Sequence, residues 1–269
     1  SYPLMLNPFL ATIFFQIDVV ILEAMRGAAI VGKYSVSYRW LLALNIIPAF
    51  FTQALLPVMS RQASEDREAL RRTYALGIKL LVAVALPVAV AFTFLAEPLT
   101  LLLGGQQFLP EGAIALQIMI WSIPIGWMNS LTQYLLIAVD LQRRITGAFI
   151  VAVSFNIVTN LIFIPQFGYQ AAAITTIFSE MVLFVPFVLL TQGALGRIAW
   201  LDLVWRPVVA AGVMFAVMAV GWTLMPIGAV IAGAVAYPVV LLLLNPLSDS
   251  EWRTLAPLLP GRLQRLLPV

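Results

Sequence analysis

The chain has 269 residues, of which 62% are hydrophobic and only 10% charged, and it carries a net charge of +3. Its mean hydropathy of +1.00 lies far outside the range of soluble globular domains. Cysteine and histidine are both absent, which excludes disulfides, thiol chemistry, the common zinc sites and imidazole acid-base catalysis, and the small, dispersed positive excess excludes a nucleic-acid partner.

Eight apolar stretches are each long enough to cross a hydrocarbon core of ~30 Å, which takes about 20 helical residues. They centre on 8–25, 40–59, 75–96, 113–139, 145–165, 171–190, 203–225 and 227–244. Unbroken apolar runs predict helices, because barrel strands alternate apolar and polar residues, and a helix satisfies its own backbone in lipid. The predicted fold is an all-α polytopic membrane protein with eight transmembrane helices. The chain opens Ser-Tyr-Pro-Leu with no charged segment ahead of an apolar core. It is therefore expected to lack a signal peptide and to be a piece of something longer.

The first span carries Thr12, Gln16 and Asp18. The segment after it holds Arg26, Lys33 and Arg39, an exception to an otherwise regular charge pattern. Arg39 stands at the start of span two, where a guanidinium fork suits phosphate or carboxylate oxygens in a cavity shared with Asp18. Snorkelling to the interface, or pairing with Glu23, is an equally open reading.

Span two adds Asn45, Thr52 and Gln53. Arg61, Arg67, Arg71, Arg72 and Lys79 follow it, Arg143 and Arg144 follow span four, Arg197 and Arg206 follow span six, and Arg253, Arg262 and Arg265 follow span eight. Twelve of the fifteen basic residues thus fall on one side, which by the positive-inside rule is the cytoplasm, with the C-terminus there too. The acids and arginines of 64–72 match a helix dipole and predict a short surface helix. Gly104 and Gly105 predict a tight outer turn after span three.

Spans four, five and six each carry polar residues at i, i+3, i+4, so each set lies on one helix face. The sets are Asn129, Thr132 and Gln133; Asn156, Thr159 and Asn160; and Thr176, Ser179 and Glu180. Spans five and six form a hairpin that folds at 165–170. A carboxylate at the bilayer centre costs roughly 2.5–3.5 kcal/mol, so Asp18 and Glu180 are expected to face protein or a wet cavity. Two readings of the polar faces are open: a water-filled cleft, or interhelical hydrogen bonds of about 0.6 kcal/mol each that only hold the bundle together.

Prolines recur inside the spans, at Pro48, Pro57, Pro87, Pro124, Pro186, Pro207 and Pro238, and predict bends of the kind transporters use as hinges. Small residues on span eight, Gly228, Ala229, Ala232 and Gly233, predict a packing face against span seven. Ser248 and Glu251 form a capping box ahead of an amphipathic tail. No catalytic or metal-binding constellation is present.

The run Gln16-Ile-Asp18-Val-Val-Ile, the run Val31-Gly-Lys-Tyr34-Ser-Val-Ser-Tyr-Arg39 and the run Leu55-Leu-Pro57-Val-Met-Ser60 resemble the second half of polysaccharide flippases of the Wzx type. These belong to the MOP superfamily, with the MATE exporters and the lipid II flippase. Leu101-Leu-Leu-Gly104 with Phe108, and the hairpin from Asn156 to Glu180, are similar to later landmarks of that half. The resemblance implies a six-helix, MATE-like C-terminal lobe over 1–192, two additional transmembrane helices over 193–247 and an amphipathic cytoplasmic tail over 248–269, with an N-terminal lobe missing.

It further implies transport without covalent chemistry, and so no enzyme. The expected activity is flipping of an undecaprenyl-pyrophosphate-linked oligosaccharide across the bacterial cytoplasmic membrane by alternating access, for O-antigen, lipopolysaccharide or other cell-envelope polysaccharide biosynthesis. Asp18, Arg39, Asn45, Asn129, Gln133, Asn156, Asn160 and Glu180 are the candidate substrate-binding residues. No cofactor is expected; relatives suggest a coupling ion, proton or sodium. The expected partners are the lipid-linked oligosaccharide, membrane lipids and the missing lobe. The rival readings are a MATE-like antiporter, which wants an acidic, aromatic-lined cavity that Arg39 does not face, and a membrane polysaccharide polymerase or ligase, which wants a large outer loop with catalytic Arg or His.

Overall fold

The computed structural model describes residues 2–247 and 251, with side chains from residue 6. The capping box and the amphipathic tail expected at 248–269 lie outside the described residues. Within them, eight helical stretches are long and apolar enough to cross a membrane, one for each predicted span. The chain divides between Ala199 and Trp200 into two compact units, with six of these stretches in the first and two in the second.

Span one is α1 (Tyr2–Arg26). Span two is a 38-residue stretch made of α2 (Ala28–Leu44) and α3 (Ile46–Glu65), interrupted at Asn45. The segment holding Lys33 and Arg39 is therefore helix, where the apolar pattern alone had started the span at Trp40. Polar residues at 33–39 mask the helix from hydropathy because that face is turned to protein, with Tyr34, Val36 and Ser37 buried. Pro48, in the first turn of α3, has no N–H to give the carbonyl four residues back, which accounts for the interruption.

Span three is α4 (Arg67–Gly104). The short surface helix expected at 64–72 is instead its first turns: Asp66 caps it, accepting hydrogen bonds from the Glu68 and Ala69 amides at 3.0 Å each. Gly105 ends it at φ 84°, a left-handed value that glycine adopts without strain, so the predicted turn is there. Span four is α5 (Glu111–Met119) and α6 (Ile123–Ala138), joined by a 310 turn at Ile120–Ser122. Spans five and six are α7 (Gln142–Phe167) and α8 (Tyr169–Leu195), which reverse at Gly168, φ 60°. The second unit holds α9 (Trp200–Trp222) and α10 (Pro226–Leu243).

Hydrogen bonds between helix ends register the up-and-down order. At the arginine-rich end, Arg67 Nη1 donates to Ala194 O at 3.0 Å and Arg71 Nη2 to Arg197 O at 2.7 Å, and Asn7 Nδ2 donates to Gln142 O at 3.2 Å. At the far end, Arg26 donates to Ile164 O and Pro165 O at 3.2 and 2.7 Å, capping α7. Lys33 Nζ bonds Glu111 Oε1 at 2.7 Å. Two of the three exceptional cations thus have structural partners.

Lipid is as apolar as leucine, so close packing rather than water exclusion holds such helices together. Phe14 of α1, Phe149 of α7 and Phe187 of α8 form an edge-to-face series with centroids 6.1 and 6.2 Å apart, each pair contributing about 0.5–1.5 kcal/mol beyond contact area. In the second unit, a methyl added at Gly233 would come within 2.5 Å of Met218 Cγ. The small residues of α10 do set its approach to α9, as the spacing predicts.

Candidate functional site

Polar residues from six helical segments of the first unit converge on one cavity of about 390 Å3. Asp18 of α1 and Glu180 of α8 both line it and are 2% and 4% exposed. Its polar wall further includes Thr12 and Gln16 of α1, Asn45 at the α2–α3 break, Ser122 and Ser130, Asn156 of α7, and Thr176 and Ser179 of α8. Phe14, Phe15 and Tyr38 supply an aromatic one, and among the described residues no lysine or arginine lines it.

The helices fix each group by short bonds. Tyr34 OH donates to Asp18 Oδ2 at 2.6 Å, while Asp18 Oδ1 is buried without a hydrogen-bond partner among the described residues. Asn129 Nδ2 donates to the Glu180 carboxylate at 2.7 Å and to its backbone carbonyl at 2.9 Å. Asn160 Nδ2 donates to Asn156 Oδ1 at 2.8 Å, and Asn156 Nδ2 to Ser179 Oγ at 3.0 Å. Trp127 Nε1 donates to Asn45 Oδ1 at 3.1 Å. The i, i+3, i+4 faces of α6, α7 and α8 are therefore turned toward one another, as their spacing predicts.

Of the eight candidate residues, Asp18, Asn45, Asn156 and Glu180 line the cavity. Asn129 and Asn160 stand behind the wall, bonded to Glu180 and Asn156. Gln133 is half-buried on α6 and does not line it. Arg39 is exposed, does not line the cavity, and makes no ion pair with Glu23. The cavity shared by Arg39 and Asp18, expected from sequence, is not formed: Tyr38, one residue away on α2, points there instead.

Sequence reading missed Tyr34, Tyr38, Trp127 and Gly126. A methyl at Gly126 would lie 3.2 Å from Glu180 Oε1, so the glycine makes room for the acid. The helical spacing of Tyr34 and Tyr38, one turn apart, is the signal that was available, and reading 26–39 as a loop concealed it.

Two buried acids with no cation beside them are costly in an apolar bundle. The wall compensates with oxygens and amides, a set suited to a proton or a small hard cation.

The polysaccharide biosynthesis protein family matches residues 1–111. A probable flippase, AglR of Haloferax volcanii, is 24% identical over 238 residues, covering 85% of this chain and 50% of that protein. Among solved structures, the lipid II flippase MurJ in an inward closed conformation matches with a TM-score of 0.66 at 14% identity, covering 87% of this chain and 51% of that one. The resemblance to Wzx-type flippases holds. The fold is similar to that of about half of MurJ, and the chain spans about half the length of the relative and of the structure it matches.

Proposed function

We propose that this chain is the C-terminal lobe of a bacterial flippase that moves an undecaprenyl-pyrophosphate-linked oligosaccharide across the cytoplasmic membrane by alternating access, making and breaking no covalent bond. One observation carries the reading. Arg39 is exposed roughly 17 Å along α2 from its first residue, at 1.5 Å per residue, between Ser37, bonded to Gly112 O, and Trp40, bonded to Leu99 O. An arginine facing lipid within an apolar span is costly. Gln53 is exposed too, as is Gln16, which lines the acidic cavity, and together they call for an aqueous cleft against a second lobe, onto which that cavity opens. There Arg39 binds pyrophosphate oxygens through its fork.

The acidic cavity has a different task in this reading. Its acids repel a pyrophosphate, so it takes the coupling cation, proton or sodium, through Asp18, Glu180 and the neighbouring amides and hydroxyls. Binding there biases the lobe between its access states.

A second reading is favoured by the same cavity. Its acidic, aromatic lining with Arg39 outside is the arrangement a MATE-like antiporter of organic cations wants. Reconstitution of the full-length protein separates the two. Translocation of a fluorescent lipid-linked oligosaccharide without uptake of an organic cation supports the flippase; the reverse result replaces it with the antiporter.

A further inference from the structure

Three neighbouring spans are weakened at one depth. Span two breaks at Asn45 and restarts with Pro48 in the first turn of α3. Span four breaks at the 310 turn Ile120–Ser122 and restarts with Pro124 in the first turn of α6. Span three is continuous but contains Pro87, which has no N–H for the turn before it. Gln117 Nε2 donates to Thr93 O at 3.1 Å, registering span four on span three. From that rung Pro124 and Pro87 lie about 10 and 9 Å further toward the arginine-rich end, at 1.5 Å per residue. Asn45, Pro48, Ser122 and Ile123 all line the acidic cavity, so the weak tier forms part of its wall.

The helix halves on either side of this tier are tied separately. On the far side, Lys33 bonds Glu111 at 2.7 Å, Ser37 Oγ donates to Gly112 O at 2.6 Å, and Trp40 Nε1 donates to Leu99 O at 3.2 Å. These join α2, α5 and the far part of α4. On the arginine-rich side, Tyr74 OH and Thr132 Oγ1 are 2.7 Å apart, joining α4 to α6, and α3 packs on α6. The Trp127–Asn45 bond crosses between them.

Spans one, five and six have no proline or break at this level. The helices α1, α7 and α8 run unbroken, and their prolines, Pro8, Pro165 and Pro186, lie nearer the helix ends. Arg26 pins α1 to α7 at the far end, and Asn7 pins them at the other, donating to Gln142 O and accepting from Thr146 Oγ1 at 2.6 Å.

We propose that the far parts of α2, α4 and α5 swing as one block about this proline tier, against a static frame of α1, α7 and α8, parting the Tyr34–Asp18 bond that joins α2 to α1, and so open and close the acidic cavity. A single bent helix is held straight by continuous neighbours. Three helices that each lack backbone bonds at the same level bend together at little cost. The lobe is then not a rigid body, whatever it carries.

This chain has no cysteine, so within it spin labels go only where they are placed, and any cysteine elsewhere in the protein is first replaced by serine. In the full-length protein in lipid nanodiscs, one pair at Gln106→Cys and Gln170→Cys spans block and frame at the far end. A second pair, Ser64→Cys and Gly193→Cys, reports the arginine-rich end. Distances are recorded at acidic and neutral pH, each with and without sodium. A kink of about 20° on the arm of about 25 Å from Pro87 to Gly104 moves the tip by about 9 Å. The far pair is expected to show two populations separated by that amount, and the other pair a single narrow one. Pro48→Ala with Pro124→Ala restores two backbone donors and is expected to leave one far-end population, whereas Pro57→Ala, away from the tier, leaves two. A single, superimposable far-end distance in every condition overturns the proposal. So does an unchanged pair of populations in the double variant, with the second label pair verifying the fold.

Discussion

One side-chain nitrogen, Asn129 Nδ2, bonds both the carboxylate and the backbone carbonyl of Glu180, at 2.7 and 2.9 Å. The amide thereby fixes the rotamer of a buried acid from the neighbouring helix. Removing it leaves Glu180 Oε2 without its partner, at a cost of about 1–3 kcal/mol, while the carbonyl keeps its bond within α8. Asn129→Leu is expected to lower the thermal unfolding temperature markedly and Asn129→Gln less so, measured by tryptophan fluorescence in detergent. Equal unfolding temperatures for both variants and the parent remove this role.

Gly126 gives the same acid its space. A methyl there falls 3.2 Å from Glu180 Oε1, and overpacking of this kind costs about 1–3 kcal/mol. Gly126→Ala is expected to reduce transport more than stability, because the side chain that must shift is the acid on the cavity wall. A transport assay beside a melting curve checks the order of the two effects.

The two far-end cations are expected to differ. Arg26 makes two bonds to carbonyls at the end of α7, where carbonyls run out of donors further along the helix, although Ile164 O also accepts from Gly168 N. Lys33 and Glu111 are each about one-quarter exposed, and a pair so placed contributes at most about 1 kcal/mol. Arg26→Ala should therefore lower the unfolding temperature more than Lys33→Ala. The exchange Lys33→Glu with Glu111→Lys should restore whatever either single change loses. A larger loss from Lys33→Ala contradicts this ranking.

Hydropathy made the eight spans legible, since a bilayer allows few alternatives to a long apolar helix. The i, i+3, i+4 spacing also showed that Asn129, Asn156 and Glu180 share facing surfaces. What it did not show was direction within a face: Asn129 and Asn160 bond other side chains behind the wall, while Asn45 and Asn156 reach the cavity. Arg39 and Tyr38 are adjacent in sequence yet diverge by about 100° around a helix of 3.6 residues per turn. With 26–39 taken as a loop, that rotation was not available. The depth at which Pro48, Pro87 and Pro124 align was hidden for a related reason, because it depends on the register between helices.

The proposed aqueous cleft at Arg39 is tested most directly by flipping of a lipid-linked oligosaccharide in proteoliposomes containing the full-length protein. The account predicts that Arg39→Ala lowers the rate at least tenfold, with Arg39→Lys intermediate because a point charge lacks the fork, while Glu180→Gln also lowers it and expression is unchanged. Normal flipping by both Arg39→Ala and Glu180→Gln would contradict the account and leave these residues a purely structural part.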